Sequence, residues 1–260
     1  MVVIAVILTK DTLFPLLMYS QPFHYNEYIT VYPVKMKYVL EFQLYSQAIT
    51  VRKDSRFPDK QIIKMSYLEF IIYSSIHPEL GTNYEFPDLK KYYFYTLNLL
   101  NMVCPEHEIR YNTCTGTIYI NNFEVTSEVF DDLRRIIILQ NDIDFDIDEF
   151  LNYDTEKRLK KAQEDLNKNK DKASMEDYID SLSIALHLSE EEIMNMTIRK
   201  FWRFVKRFNL HENYTILKTG ECSGMVKFKE PIKHWMVSID EEDKYSSLKA
   251  DEQALKSKIG

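Results

Sequence analysis

Apolar and polar positions alternate in a way that divides the chain into a mixed first half, a charged interval and a second helical stretch. Val2 to Leu8 is a run of seven apolar residues, the length of a buried strand and well short of the roughly 18 to 20 needed to cross a bilayer. Lys10 and Asp11 follow it where a cleavable signal needs small residues, so the run is read as structure. YITVYPV (28–34) is β-branched and aromatic and closes on a proline, which predicts a strand at a sheet edge or end. A helix is expected over 36–49. The segment KQIIKMSYLEFIIYSSI follows Pro58 and Asp59; with Asp59 as N-cap and apolar side chains around nearly its whole circumference, it predicts one central buried helix. DLKKYYFYTLNLLNMVC (88–104) repeats the design, with Asp88 as cap and Pro105 as stop.

Two short strands are expected near 108–112 and 116–120, with Asn121-Asn122 as a turn before FEV. Thr126 then opens SEVFDDLRRIIILQN, whose 3.6-residue period puts Val129, Leu133, Ile136 and Ile137 on one face. From 154 to 173 the pattern changes: twelve of twenty residues are charged, which reads as a linker. Helices are expected at 175–187, 190–196 and 198–210; Ser189 and Glu192 stand at capping-box spacing, and Thr197 suits an N-cap. NYTILK and GMVKFK read as a strand pair around Gly220 and Gly224, and KYSSLKADEQALKSKI as a terminal helix. The expected architecture is therefore α+β and helix-dominated. A mixed α/β lobe (1–153) and a charged linker (154–173) precede a small helical lobe with a short hairpin (174–260).

MTIRKFWRFVKRF (196–208) sharpens the picture. On a helix, Ile198, Phe201, Trp202, Val205 and Phe208 share one sector with Phe204 beside it, while Arg199, Lys200, Arg203, Lys206 and Arg207 fill the opposite arc. A single-strand nucleic-acid binder interleaves aromatics with cations so that bases stack beside neutralised phosphates. Segregation instead predicts a core helix with a basic back. Residues 196–236 carry +6 in a chain of −7, and 140–156 hold seven carboxylates with no basic residue, an obvious partner for that patch within the chain or on another copy. The net charge argues against general nucleic-acid affinity. Helix-turn-helix docking through 175–210 remains the alternative, although Ile198, Phe201 and Trp202 occupy the turns where base-reading side chains belong.

Composition narrows the chemistry further. Five glycines leave little for phosphate-cradling loops, and no Walker, GxSxG or HxxxH pattern occurs. Cys104, Cys114 and Cys222 are odd in number without CxxC spacing, which suits a reducing compartment. Asp142, Asp144, Asp146 and Asp148 imitate the first half of a calcium loop, but Ile147 replaces the glycine and Tyr153 the closing glutamate. No catalytic, cofactor-binding or metal-binding residue is assigned.

VYPVKMKYVLEFQLYSQAITVRKDSRFPDKQIIKMSYLEFI, YINNFEVTSEVFDDLRRIIILQNDIDF, LSEEEIMNMTIRKFWRFVKRF with YTILKTGECSGMVKFKEPIKHWM, and KYSSLKADEQALKSKI together resemble proteins encoded in the tail and baseplate gene clusters of phages that infect Gram-positive bacteria. The resemblance implies a tail-assembly chaperone or a virion structural component and carries over no catalytic residue. The expected function is non-enzymatic protein binding in phage tail or baseplate assembly, in the host cytoplasm or the finished tail. The expected partners are other tail proteins or copies of the chain itself. The residues expected to make that contact are Arg199, Lys200, Arg203, Lys206 and Arg207, with Tyr245, Leu248 and Leu255 of the terminal helix.

Overall fold

Hydroxyl and carboxylate caps set most of the helix starts. The computed structural model describes residues 8–53, 57, 59–83, 86, 88–147, 173–224 and 231–239, with single positions 155, 158, 161, 162 and 228. Helix α1 (Lys10–Tyr19) starts on a Thr9–Thr12 capping box, ends on Ser20 in the left-handed region, and buries Leu13 and Leu17. Strands β1 (Phe23–His24) and β2 (Thr30–Val31) pair antiparallel, Phe23 opposite Val31. The expected strand at 28–34 shortens to two residues because the backbone beyond it is claimed elsewhere. Tyr32 N–H donates to Val103 O at 2.7 Å and Val34 N–H to the buried Asn141 side chain at 2.9 Å.

The 36–49 segment is helical as expected: a 3-10 turn (Met36–Tyr38), α2 (Val39–Ser46) and a second 3-10 turn (Gln47–Ile49). The single helix expected after Asp59 is two helices, α3 (Lys60–Lys64) and α4 (Tyr67–Ile76). Asp59 does cap α3, but Ser66 restarts the chain: its hydroxyl accepts from Glu69 N–H at 3.2 Å while Glu69 accepts from Ser66 N–H at 2.7 Å. Next come α5 (Glu79–Asn83), a 3-10 turn (Leu89–Lys91) and α6 (Tyr92–Val103). Asp88 does not cap; its carboxylate pairs with Lys91 at 2.8 Å.

Strands β3 (Ile109–Tyr111), β4 (Ile118–Ile120) and β5 (Phe123–Glu124) form an antiparallel sheet in that order, turning through Asn121 at φ 55°. At the preceding turn Gly116 has φ +72°, and a Cβ there would sit 2.7 Å from Ile72 Cγ2. Helix α7 (Ser127–Gln140), capped by Thr126, buries Val129, Leu133, Ile136 and Ile137 as its periodicity predicts. It packs with α4, which also contacts α6, and α2 lies along α6.

After the charged interval come α8 (Met175–Leu186), α9 (Glu190–Asn195) and α10 (Ile198–Cys222). The strand expected at NYTILK does not form, so neither does the hairpin: 213–218 continue α10. There Thr215 Oγ1 donates to His211 O at 2.9 Å and Thr219 Oγ1 to Thr215 O at 2.8 Å. A helix already capped and packed at its start extends at little cost per residue, whereas a strand needs a partner. Residues 2–7, nearly all of 154–173, most of GMVKFK and the whole terminal helix expectation lie outside the described residues.

The chain on either side of that interval is stitched together. Met36 N–H donates to Met196 O at 2.8 Å, Ile198 N–H to Val34 O at 2.9 Å, and Lys35 bridges Thr197. Ile179, Leu182, Ile193, Ile198, Phe201 and Val205 join the same buried cluster as Leu17, Ile29, Val34 and Met36.

Candidate interaction surface

Three hydroxyl caps aim α8, α9 and α10. Ser174 pairs with Asp177 and Ser189 with Glu192 in reciprocal boxes, and Thr197 accepts from Lys200 N–H at 3.3 Å. The cap hydrogen bonds hold the Asp177 and Glu192 carboxyls below their usual range. His187, left-handed at φ 53°, ends α8 and lets α9 fold back.

The quoted helix faces as its pattern predicts on the apolar side. Phe201 is fully buried, with Ile198 and Val205 beside it. Trp202 stands edge-on to Tyr178 at 5.3 Å and to Phe201 at 5.2 Å, half-buried against the core. The first turn of α10 therefore buries Ile198, Arg199 and Phe201 and is tied to Val34 and Lys35.

The basic arc needs one correction. Arg199 is 7% exposed; its Nη1 donates to Leu17 O at 3.2 Å, near the end of α1, so it anchors the helix and belongs to no outer patch. The other four do reach the surface. Lys200 is exposed with its ammonium 5.1 Å from the Phe204 ring, Arg203 is half-buried one turn on, and Lys206 is exposed. Lys206 Nζ lies 3.3 Å from Asp142 Oδ2, so the acidic segment expected to face this patch meets it at Asp142.

Arg207 serves the next stretch of chain. Its Nη1 donates to Trp235 O and, at 3.0 Å, to Val237 O. His211 meets the Trp235 ring edge-on at 5.1 Å and Tyr214 meets His234 at 5.0 Å. Residues 231–239 thus form a strap along the 207, 211, 214 line of α10, one helical face by spacing. The periodicity of 231–239 carries no signal for this, because a strap has no repeat. Tyr245, Leu248 and Leu255 lie outside the described residues.

The remaining candidate chemistry is accounted for locally. Among the described residues no cluster of His, Cys, Asp or Glu is placed to hold a metal. His107 Nε2 accepts from Thr30 N–H at 2.9 Å and His24 Nδ1 lies 3.0 Å from Thr30 Oγ1, so both brace β2. Burial pushes the Cys104 thiol up to about 12, far from a reactive thiolate, whereas Cys114 and Cys222 are exposed. No described helix is long and apolar enough to cross a membrane. One feature escaped the pattern altogether: a buried arginine, Arg134, on the wall of a cavity between α4 and α7.

Residues 167–240 match a family model described as the YomV second domain, which covers α8 to α10 and the strap but under a third of the chain. That family is phage-associated, so the match supports a phage protein. No curated protein and no solved structure matches the chain.

Proposed function

We propose that the protein is a non-enzymatic component of bacteriophage tail or baseplate assembly that binds another tail protein through the basic side of α10. The observation that carries this reading is the helix itself. Its apolar face and Arg199 are locked into the core, and Lys200, Arg203 and Lys206 are left along the outer side of a rigid rod. Rigid presentation lowers the entropy lost on association, and a line of like charge steers a carboxylate-rich partner into register. The phage-associated match falls on this part of the chain, which supports placing the function there. Sequence resemblance supports the tail and baseplate context, with either a chaperone or a particle subunit as the role.

The test is reversal of Lys200, Arg203 and Lys206 to glutamate in an infecting phage. Tail or baseplate proteins that co-purify with the wild type should be lost while circular dichroism stays unchanged. Retention of every such partner by the triple variant removes this surface from the account. Mass spectrometry of purified particles separates the roles: a subunit is present, a chaperone absent.

A further inference from the structure

Arg134 lies on the buried side of α7 with 7% of its surface exposed. Its Nε donates to Ile49 O at 2.6 Å, and its guanidinium sits 3.6 Å over the Tyr67 ring and 5.4 Å from the Phe145 ring, which Arg52 approaches at 4.4 Å from its own position. Tyr67 is itself fixed, donating to Ala48 O at 3.1 Å and accepting from Val51 N–H at 2.9 Å. The cation is thus held by a backbone carbonyl and a clamped ring.

Among the described residues it has no anion at hydrogen-bond distance. An arginine keeps its proton in any protein environment, so burial here has desolvated a full charge. Beyond Ile49 and Tyr67 no described residue hydrogen-bonds to the guanidinium, and no described carboxylate reaches ion-pair distance. Asp131, one turn earlier, acts on it only through space. Beside the guanidinium opens a cavity of about 280 Å³, whose wall includes Lys53, Ser66, Tyr67, Asp131, Arg134 and Arg135. Asp132, also in the wall, is occupied by the Tyr25 hydroxyl at 2.8 Å.

We propose that this cavity is a carboxylate-binding site, with the anion seated on the Arg134 guanidinium. The planar fork of the guanidinium matches a carboxylate with two parallel hydrogen bonds. The volume suits an acid of a few carbons or a single acidic side chain better than a nucleotide. The site lies on α7 and α4 and does not depend on the tail-assembly reading, which concerns α10.

The test is binding to the full chain, by calorimetry and by the thermal midpoint, of acetate, succinate and a short glutamate-containing peptide. Chloride replaces the ligand at equal ionic strength as the control, and inorganic phosphate is titrated alongside. A carboxylate should raise the midpoint where chloride does not. Arg134→Met should weaken binding on the order of tenfold or more, the loss of a charged hydrogen bond. Asp131→Asn, an exposed substitution, should strengthen it by removing a like charge. Tighter binding of the peptide assigns the carboxylate to a protein partner, and tighter binding of succinate to a free acid. Equal response to chloride, undiminished binding in Arg134→Met, or phosphate binding tighter than every carboxylate overturns the site. If Arg134→Met does not fold, unchanged affinity in Asp131→Asn overturns it.

Discussion

Truncating Phe201 to alanine tests whether α10 is anchored as the interaction surface requires. Phe201 is fully buried, edge-on to Trp202 and joined to the same cluster as Ile198 and Val205. A phenylalanine buries roughly 200 Å² of surface, which at about 25 cal/mol per Å² gives an upper bound of about 5 kcal/mol. Relaxation around the cavity brings such truncations to about 3–5 kcal/mol, and about 4 kcal/mol is expected here. Phe208, half-buried on the same face, should cost about half as much when truncated. Urea unfolding followed by circular dichroism measures both. With a slope of about 2–3 kcal/mol/M, Phe201→Ala should lower the midpoint by about 1–2 M with the slope unchanged. A Trp235→Phe background leaves Trp202 as the sole indole, reporting from its contact with Tyr178. A midpoint shift below about 0.3 M at constant slope would falsify the inward orientation and, with it, the assignment of the basic side to solvent.

Three further outcomes follow from particular contacts. Gly116→Ala should destabilise by about 1–3 kcal/mol in the same urea assay, since it must hold a positive φ and displace Ile72, and a neutral result would refute that turn geometry. Thiol labelling of the native chain should modify Cys114 and Cys222 quickly and Cys104 only on unfolding; three fast thiols would contradict the burial that raises Cys104. The Asp177 and Glu192 carboxyls have folded values held below their ordinary ones by the serine caps, so their contribution is present above the ordinary carboxylate range and is lost as pH falls through the lowered values. Substituting Ser174 and Ser189 with alanine should therefore flatten the acid limb of the stability profile measured by thermal unfolding, and an unaltered limb would remove the caps from that role.

The elements carried by a single period or a complete cap were legible in the chain. α7 shows the period, with Val129, Leu133, Ile136 and Ile137 in one row, behind a Thr126 cap that has no reciprocal partner at Val129. The break between α3 and α4 was legible too, as Ser66 three residues before Glu69, but apolar residues on every side concealed the boundary that the capping box imposes. NYTILK misleads for a different reason. Its β-branched and aromatic side chains favour a strand only where a partner strand exists, and here they ride on a helix propagated from Thr197. The buried arginines were not legible at all. A helical wheel puts Arg199 with its basic neighbours, and it cannot show the carbonyl of Leu17, far away in sequence, that accepts from its guanidinium. Arg134 and Arg135 are adjacent and alike, and the choice of which one enters the core is made by Tyr67 and Ile49 on other elements.

The Lys206–Asp142 contact bears on the proposed binding in a way its distance alone does not convey. Lys206 is about half exposed, and an ion pair with its ammonium in water is worth on the order of 1 kcal/mol because solvent screens it from the lysine side. Such a pair sets how the acidic segment lies against α10 without holding it there. An incoming carboxylate surface can take over Lys206 at small cost, exchanging one screened contact for another, and leaves Phe201, Val205 and Arg199 undisturbed beneath. The strap on Arg207 differs: two carbonyls and two ring contacts act together, so displacing residues 231–239 means breaking several interactions at once. Binding by this route therefore begins at Lys200, Arg203 and Lys206, toward the start of α10, with the strapped half of the helix keeping its shape.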